Sequence, residues 1–455
     1  MSIQNRSLIS VLLAAGALQA APPNPAAAAQ MAMQQNMQMQ RQMQMQMQMQ
    51  ASRAAAAAYR ARQQQHSERN GGSKEPAAQV ARPAGEAWRS RRAEDTWKGE
   101  GDGIILERGS GWLRAISRDK GEDLWSFAVA SLEQRACAAQ GLVLLVTQDY
   151  RLLLLDRDTG RTKAEVQLDK LGNFLMQSYQ KPRVQTPVLH GGRIYVATYG
   201  KGQDGEPSGK LYALDASTGA KVWEGSLASG AEHPPVIADG RIIVGGSPWL
   251  QAFQLSDGKP LWKVDTGSGT WLGMGGTDAE RYYVATGKKL LAVDLAKGEI
   301  AWQNEGAWNF AVLAGKRVLA LRSRTFGAPV LAAMDAATGK PVWERPSVRE
   351  LPWTTEDRLV LVEDNKVRCL SVLDGTQAWE LPVKGDPSWV PSLSGDQVFI
   401  ASRDGKTTHL QALDLATGKE AWTFPVKGKV LPDLCVLDGS GILVETKDGE
   451  LVALK

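Results

Sequence analysis

The sequence predicts an all-β protein, a propeller of short four-stranded sheets. An eleven-residue segment at 213–223, Ala-Leu-Asp-Ala-Ser-Thr-Gly-Ala-Lys-Val-Trp, recurs with few changes at 333–343 and 412–422. Looser copies lie before and between these segments, at the period of about 40 residues that is typical of four-stranded propeller blades. The 46 glycines among 455 residues fit many short strands joined by tight turns.

Each part of the segment has a physical role. Residues 211–215 alternate between two faces, as a strand does. The carboxylate of Asp215 can accept backbone N–H groups of the next turn, and Gly219 supplies the positive φ of a tight hairpin. Trp223 then lies on one face of the next strand, where its ring can pack across to the neighbouring sheet and bury ~200 Å².

The copies therefore predict one docking tryptophan and one turn glycine for each repeat. The tryptophans are Trp125, Trp223, Trp262, Trp302, Trp343, Trp379 and Trp422. The glycines are Gly121, Gly219, Gly258, Gly298, Gly339, Gly375 and Gly418. A further copy has Gly160, and there Ala164 takes the place of the tryptophan.

The number of blades depends on how the ring closes. In the repeat around Trp262, four strands are expected at 235–238, 241–245, 250–255 and 260–265. The last repeat shows only three strands, so an N-terminal strand is expected to share its blade and remove the exposed edges. If 124–127 is that strand, the propeller has eight blades, which is our prediction. If the strand lies near Trp88, the alternative count is nine.

The first 87 residues differ in composition from the rest. Residues 1–29 resemble a signal peptide, because Arg6 precedes an apolar stretch at 8–20. Residues 30–87 are rich in Met, Gln and Ala and predict a disordered tether and linker. Thioether capture of Cu(I) by this tether is a weaker hypothesis. The propeller is expected at 88–455, with no transmembrane segment after removal of the signal.

Charge and cysteine content exclude some function classes. The net charge is +4, but the excess of Lys and Arg lies in the first 100 residues, which argues against a nucleic-acid groove in the nearly neutral propeller. Cys137, Cys369 and Cys435 are too few and too scattered for a disulfide framework. We expect buried thiols, although ring closure could bring Cys137 near Cys435.

The sequence offers no pattern typical of catalysis. The four histidines lack zinc-ligand spacing with another His or Cys, and no Gly-x-Ser-x-Gly segment occurs. We therefore predict no catalytic residues, no metal site and no cofactor. One pattern does suggest binding: four tryptophans precede second strands in consecutive repeats and could form an exposed partner-binding rim. They are Trp271, Trp308, Trp353 and Trp389. The alternative is that their rings fill the channel mouth as packing.

The pattern Ala-x-Asp-x-x-Thr-Gly-Lys-x-x-Trp resembles the tryptophan-docking motif of the quinoprotein dehydrogenase-like propellers, or PQQ repeats. That superfamily includes dehydrogenases that use pyrroloquinoline quinone (PQQ) and the BamB-type outer-membrane assembly propellers. The run at 441–454 looks most like the BamB type. That type carries a lipid on an N-terminal cysteine, which this sequence lacks.

The resemblance implies two activities that the sequence can distinguish. The dehydrogenases use a vicinal Cys-Cys pair, a Ca²⁺ ion and an Asp base, and no Cys-Cys pair occurs here. We therefore expect an exported, non-catalytic scaffold that binds protein partners in the periplasm or cell envelope, or after secretion. The alternatives are a PQQ-dependent dehydrogenase and a propeller that binds glycans or peptides.

Overall fold

The computed structural model describes residues 86–91, 97–109, 111–129, 136–147, 149–169, 183–201, 207–267, 276–324, 329–346, 348, 353–363, 365–383, 386–387, 391–427, 430, 435–437, 441–446 and 450–454. The predicted signal peptide and almost all of the predicted tether lie outside the described residues.

Every regular element among these residues is a β-strand, and the strands form nine sheets with antiparallel pairing. The part of the chain that the structure describes contains no helix long and apolar enough to cross a membrane. The residues divide into a larger unit, 86–359 with 370–377, and a smaller unit, 360–369 with 378–455.

The larger unit begins with β1 (Glu86–Arg91) and continues with six sheets in chain order. The first three sheets are β2 (Trp97–Gly101), β3 (Ile104–Gly109), β4 (Trp112–Ser117) and β5 (Asp123–Ala128); β6 (Cys137–Ala139), β7 (Leu142–Val146), β8 (Arg151–Asp156) and β9 (Thr162–Gln167); and β10 (Arg183–Val184), β11 (Val188–His190), β12 (Arg193–Lys201), β13 (Pro207–Asp215) and β14 (Lys221–Leu227).

The fourth, fifth and sixth sheets follow the same order of strands. They are β15 (Val236–Ala238), β16 (Arg241–Gly246), β17 (Trp249–Gln254) and β18 (Pro260–Asp265); β19 (Gly276–Thr277), β20 (Arg281–Ala285), β21 (Lys289–Asp294) and β22 (Ile300–Glu305); and β23 (Trp308–Ala314), β24 (Arg317–Arg322), β25 (Val330–Asp335) and β26 (Pro341–Pro346).

The boundary between the units falls within the seventh sheet, β27 (Trp353–Thr354), β28 (Arg358–Glu363), β29 (Lys366–Ser371) and β30 (Gln377–Pro382). The smaller unit continues with the eighth sheet, β31 (Asp386–Pro387), β32 (Ser392–Ser394), β33 (Gln397–Asp404), β34 (Thr407–Asp414) and β35 (Glu420–Lys427). The ninth sheet contains β36 (Cys435–Leu437), β37 (Gly441–Glu445) and β38 (Glu450–Leu454).

The register of the sheets places the docking tryptophans. In the sixth sheet, Ala333 of β25 lies opposite Trp343 of β26, and the register shifts between Ala333 and Met334. A shift at the equivalent place occurs in other sheets, for example between Ala213 and Leu214. A bulge of this kind increases the local twist and re-aims side chains. The core lies between successive sheets, where buried aliphatic residues of neighbouring repeats pack together.

The predicted all-β propeller of four-stranded repeats is confirmed, and the four strands expected around Trp262 are β15 to β18 within two residues at each end. The assignment of 124–127 as the closing strand is wrong. Those residues belong to β5, which pairs with β4 in the first sheet. The strands expected as an extra hairpin at 104–108 and 113–116 are the middle strands of that sheet. Nine sheets match the alternative count, and β1 contains Trp88, near which that count placed the closing strand.

Candidate interaction surfaces

Each docking tryptophan that the structure places against a motif glycine lies on the glycine of the next repeat. A Cβ atom added to Gly258 would lie 2.4 Å from Cε3 of Trp223, and one added to Gly339 would lie 2.5 Å from Cδ2 of Trp302. The same contact joins Trp125 to Gly160, Trp262 to Gly298, Trp343 to Gly375 and Trp379 to Gly418. These glycines also have positive φ values near 70°. Two independent constraints therefore require glycine at this position.

The indole N–H groups add a second link between repeats. Trp302 Nε1 donates to the carbonyl of Ala336 at 2.9 Å, in the turn that precedes Gly339. Equivalent bonds run from Trp125 to Arg157, from Trp262 to Leu295, from Trp343 to Val372 and from Trp379 to Leu415, at 2.6 to 3.0 Å. A side chain that packs and donates a hydrogen bond fixes the orientation of one sheet against the next.

Three copies of the motif depart from this arrangement. Trp223 and Trp422 have buried Nε1 atoms without an acceptor among the described residues. In the copy with Ala164, a Cβ added to Gly219 would lie 2.9 Å from the Ala164 methyl group, so this smaller side chain occupies the place of the indole.

The motif aspartates organise their turns as hydrogen-bond acceptors. Asp215 Oδ1 accepts from the Ser217 hydroxyl at 2.6 Å and from the backbone N–H of Thr218 at 2.9 Å. These bonds favour the ionised carboxylate and lower the pKa of Asp215 from 3.8 to about 2. Thr338 donates both its backbone N–H and its hydroxyl to Asp335 Oδ1, and Thr417 does the same to Asp414 Oδ1. These carboxylates build turns.

The outer strands expose apolar side chains at a repeated position. The residue directly before the docking tryptophan is exposed by 43–45% in four copies of the larger unit. These residues are Leu124, Val222, Leu261 and Val342. Single exposed apolar residues are ordinary, but here they recur at one position of the repeat, and Leu124 and Leu261 each line a surface cavity.

One opening beside these residues lies between β14 on one side and β17 and β18 on the other. It has a volume of about 450 Å³ and is open to solvent. We call it the open crevice and define it by Glu224, Gly225, Gln251, Phe253, Leu261 and Lys263. A smaller depression of about 370 Å³ lies on β4 and β5, at Trp112, Arg114 and Leu124. There the Arg114 guanidinium lies 4.9 Å from the Trp112 ring centroid and pairs with the buried Glu107.

The predicted tryptophan rim is not a surface of four exposed rings. Trp308 is only 1% exposed and packs with Tyr283, Ala311 and other residues in the core between the fifth and sixth sheets. A register shift between Trp308 and Phe310 accompanies this inward position. The expectation of an exposed Trp308 is therefore corrected. Trp353 is half-buried at the start of β27, and Trp271 and Trp389 lie outside the described residues.

The other chemistry-bearing residues are dispersed. His233 is buried, His190 and His409 are half-buried, and the described part of the chain has no group of three His, Cys, Asp or Glu residues that could hold a metal ion. Cys137 and Cys369 are free thiols. Burial raises the pKa of Cys137 to about 12, so this thiol stays protonated and unreactive near neutral pH. The side chain of Cys435 lies outside the described residues.

These features define a class of protein, a propeller of PQQ-like repeats held together by docking tryptophans. A profile of the family described as "Outer membrane protein assembly factor BamB" matches residues 109–201, 176–310, 288–388 and 382–455. The chain belongs to this family.

Individual relatives agree with the family and add one different activity. The chain is 24% identical to the outer membrane protein assembly factor BamB of Bordetella pertussis, over 56% of this chain and 72% of that protein. It is 26% identical to the BamB of Moranella endobia, over 58% and 70%. It is also 26% identical to a polyvinylalcohol dehydrogenase of a Sphingopyxis species, over 61% of this chain and 40% of that enzyme. Among solved structures, BamB from Moraxella catarrhalis aligns with a TM-score of 0.47 at 16% identity, over 81% of this chain and 97% of that one.

Proposed function

We propose that the protein is an exported, non-catalytic propeller that binds protein partners during assembly of outer-membrane proteins. The family match across 109–455 is the observation that carries the proposal. The relatives named as assembly factors support it, because the chain covers 70% or more of the length of two of them. The proposal includes a location in the periplasm or at the envelope.

The construction of the repeats supports a binding role. Motif residues such as Asp215 and Gly219 serve turns, and the docking indoles serve the junctions between sheets. The outer strands, by contrast, present apolar residues such as Leu261 to solvent beside an open crevice. Apolar residues exposed at a crevice are typical of protein-binding surfaces.

The function is tested by deleting the gene in its native host. We expect the folded fraction of outer-membrane β-barrel proteins to fall, measured by heat-modifiable migration on gels, and to recover when the wild-type gene is restored. Unchanged barrel proteins in the deletion strain would contradict the assembly role.

The polyvinylalcohol dehydrogenase relative motivates a biochemical arm of the same test. Dehydrogenases of the superfamily use a vicinal Cys-Cys pair beside the quinone, and the three cysteines here are far apart in sequence. We therefore expect no dye-linked alcohol oxidation after incubation of the purified protein with PQQ and Ca²⁺. Turnover above that of a heat-denatured sample would replace the scaffold with an enzyme.

A further inference from the structure

The open crevice is lined by residues that differ from their counterparts in the other repeats. At the position two residues after the docking tryptophan, the other copies carry a side chain, whereas the third sheet has Gly225. The residues elsewhere are Phe127, Val166, Val264, Asn304, Arg345, Leu381 and Phe424. A Cβ at Gly225 would lie 3.2 Å from Phe253 and 3.8 Å from the carbonyl of Gly258. The absence of a side chain therefore lets the Phe253 ring lie against the backbone of β14, and Gly225 itself lines the crevice.

A second departure changes the charge of the same crevice. Lys263 follows its docking tryptophan directly, at a position where the other copies are acidic or neutral. Those residues are Ser126, Glu165, Glu224, Gln303, Glu344, Glu380 and Thr423. The Lys263 ammonium lies 4.1 Å from the Trp249 ring centroid, and the described residues contain no ion pair to it. The nearby Glu224 is already held by Lys210 and Lys221, at 3.1 and 2.8 Å.

The crevice also contains an amide with unused hydrogen-bonding capacity. Gln251 is 6% exposed, and its Oε1 accepts from the backbone N–H of Ala228 at 3.2 Å. Its Nε2 is buried and has no acceptor among the described residues. The nearby Trp223 Nε1 is also a buried donor without an acceptor among the described residues. An unmet buried donor is unfavourable, so such groups favour a ligand that brings an acceptor.

The backbone around the crevice suits an extended ligand. β14 is an outermost strand of the third sheet, so one of its edges has no partner within that sheet. A peptide can pair with such an edge while alternate side chains enter neighbouring pockets. The apolar wall of Phe253 and Leu261 suits an aliphatic side chain, and Lys263 suits a carboxylate.

From these features we infer that the open crevice binds an extended segment of a partner protein that carries an apolar side chain and, two residues away, an acidic side chain. The spacing of two follows because residues i and i+2 of an extended chain share a face. A carbonyl of the segment accepts the Nε2 hydrogen of Gln251. This inference rests on the proposed partner-binding function and assigns it a place and a ligand chemistry.

The test uses the purified full chain and fluorescein-labelled peptides, followed by fluorescence polarisation. The probe is Thr-Leu-Thr-Asp-Thr, and the comparison peptides replace Asp by Lys or Leu by Ser. We expect saturable binding of the probe in the range of ~0.1–1 mM and at least about tenfold weaker binding of both comparison peptides. Absence of saturable binding by the probe would overturn the inference.

Two variants place the binding in the crevice. Gly225→Val introduces the residue that two other copies carry at this position. It should weaken binding of the probe peptide about tenfold or more. Lys263→Glu changes only an exposed charge, so it keeps the fold and should reverse the preference from the Asp peptide to the Lys peptide. Lys297→Glu, an exposed charge change in a turn of the fifth sheet, is the matched control and should leave both affinities unchanged.

Unaltered binding in Gly225→Val, or an Asp preference that survives Lys263→Glu, would overturn the inference. Decanoate titrated against the probe separates a peptide ligand from a small amphiphilic carboxylate. Strong competition by decanoate, together with weak probe binding, would also overturn it. The deletion experiment on outer-membrane proteins remains a separate result, since a scaffold that uses another surface would pass that test and fail this one.

Discussion

Two junctions between neighbouring sheets of the larger unit have the same docking contact. They differ in the side chain that stands beside that contact. We compare the open crevice, where Trp223 packs on Gly258, with the sealed junction, where Trp302 packs on Gly339. In both, a tyrosine ring lies 5.9 Å from the indole, Tyr195 in the first case and Tyr283 in the second.

Polar contacts distinguish the two junctions. In the sealed junction, Trp302 Nε1 donates to Ala336 at 2.9 Å, and Asn304 Nδ2 donates to the carbonyl of Gly339 at 2.8 Å. In the open crevice, Gly225 takes the place of Asn304, and Trp223 Nε1 has no acceptor among the described residues. The difference is one of polar contacts and side-chain size at the same position of the repeat, and our proposal assigns stability to the filled junction and recognition to the open one.

The largest effect should come from removing an indole of the sealed junction. Trp302→Ala deletes a large packed ring and an inter-repeat hydrogen bond, so we expect a loss of about 3–5 kcal/mol in the free energy of unfolding. Trp223→Ala should cost about 1 kcal/mol less, because its N–H makes no comparable bond. Denaturant titration measures both, and equal losses would mean that the hydrogen bond contributes nothing to the difference.

The motif glycine should be nearly as sensitive. Gly339→Ala places a methyl group 2.5 Å from the Trp302 ring at a φ of 70°, and we expect a loss of about 3 kcal/mol. Gly240→Ala is the matched control, since its φ is 68° but nothing lies within 4 Å of the added atom. It should cost only about 1 kcal/mol. Similar losses in the two variants would show that backbone strain, not the indole, requires glycine.

A smaller effect is expected from converting the sealed junction into an open one. Asn304→Gly removes one hydrogen bond and the packing of a half-buried side chain, which should cost about 1–2 kcal/mol. The melting temperature reports the loss, with Gln303→Ala, an exposed neighbour on the same strand, as the control. A stability equal to that of the wild type would mean that the side chain at this position does not seal the junction.

The smallest effect concerns acidity. Because the pKa of Asp215 is lowered from 3.8 to about 2, its contribution to stability is present above about pH 4 and is lost as the pH falls towards 2. The pKa of Asp335 is lowered too, mainly by its hydrogen bond from Thr338. The wild type should therefore melt at a lower temperature at pH 3 than at pH 6. In Asp215→Asn the difference should be smaller, and an unchanged difference would assign the acid sensitivity to other carboxylates.

The sequence was sufficient for the repeats but not for the details of the junctions. Asp, Gly and Trp at fixed spacing identify the turn and the docking ring, because each residue has one local role. The contact of Trp223 with Gly258 depends on the bulge between Ala213 and Leu214, which no single copy of the segment signals. The prediction of an exposed Trp308 was wrong for a related reason. The register shift between Trp308 and Phe310 accompanies the burial of the ring, and the sequence does not signal that shift.

The crevice was missed although its signal is present in the sequence. Gly225 and Lys263 stand out only when the copies are compared position by position beyond the tryptophan. The unmet donor of Gln251 could not be foreseen, because it depends on the path of the backbone at Ala228. The predicted number of blades depended on the assignment of residues 123–128. Their sequence fits a strand equally well in the first sheet and as the strand that closes the ring.

The most direct test of the comparison is the variant Gly225→Asn, which installs the side chain of the sealed junction in the open crevice. The account predicts at least about tenfold weaker binding of Thr-Leu-Thr-Asp-Thr by the folded variant than by the wild type. Full peptide affinity in a correctly folded Gly225→Asn protein would contradict it.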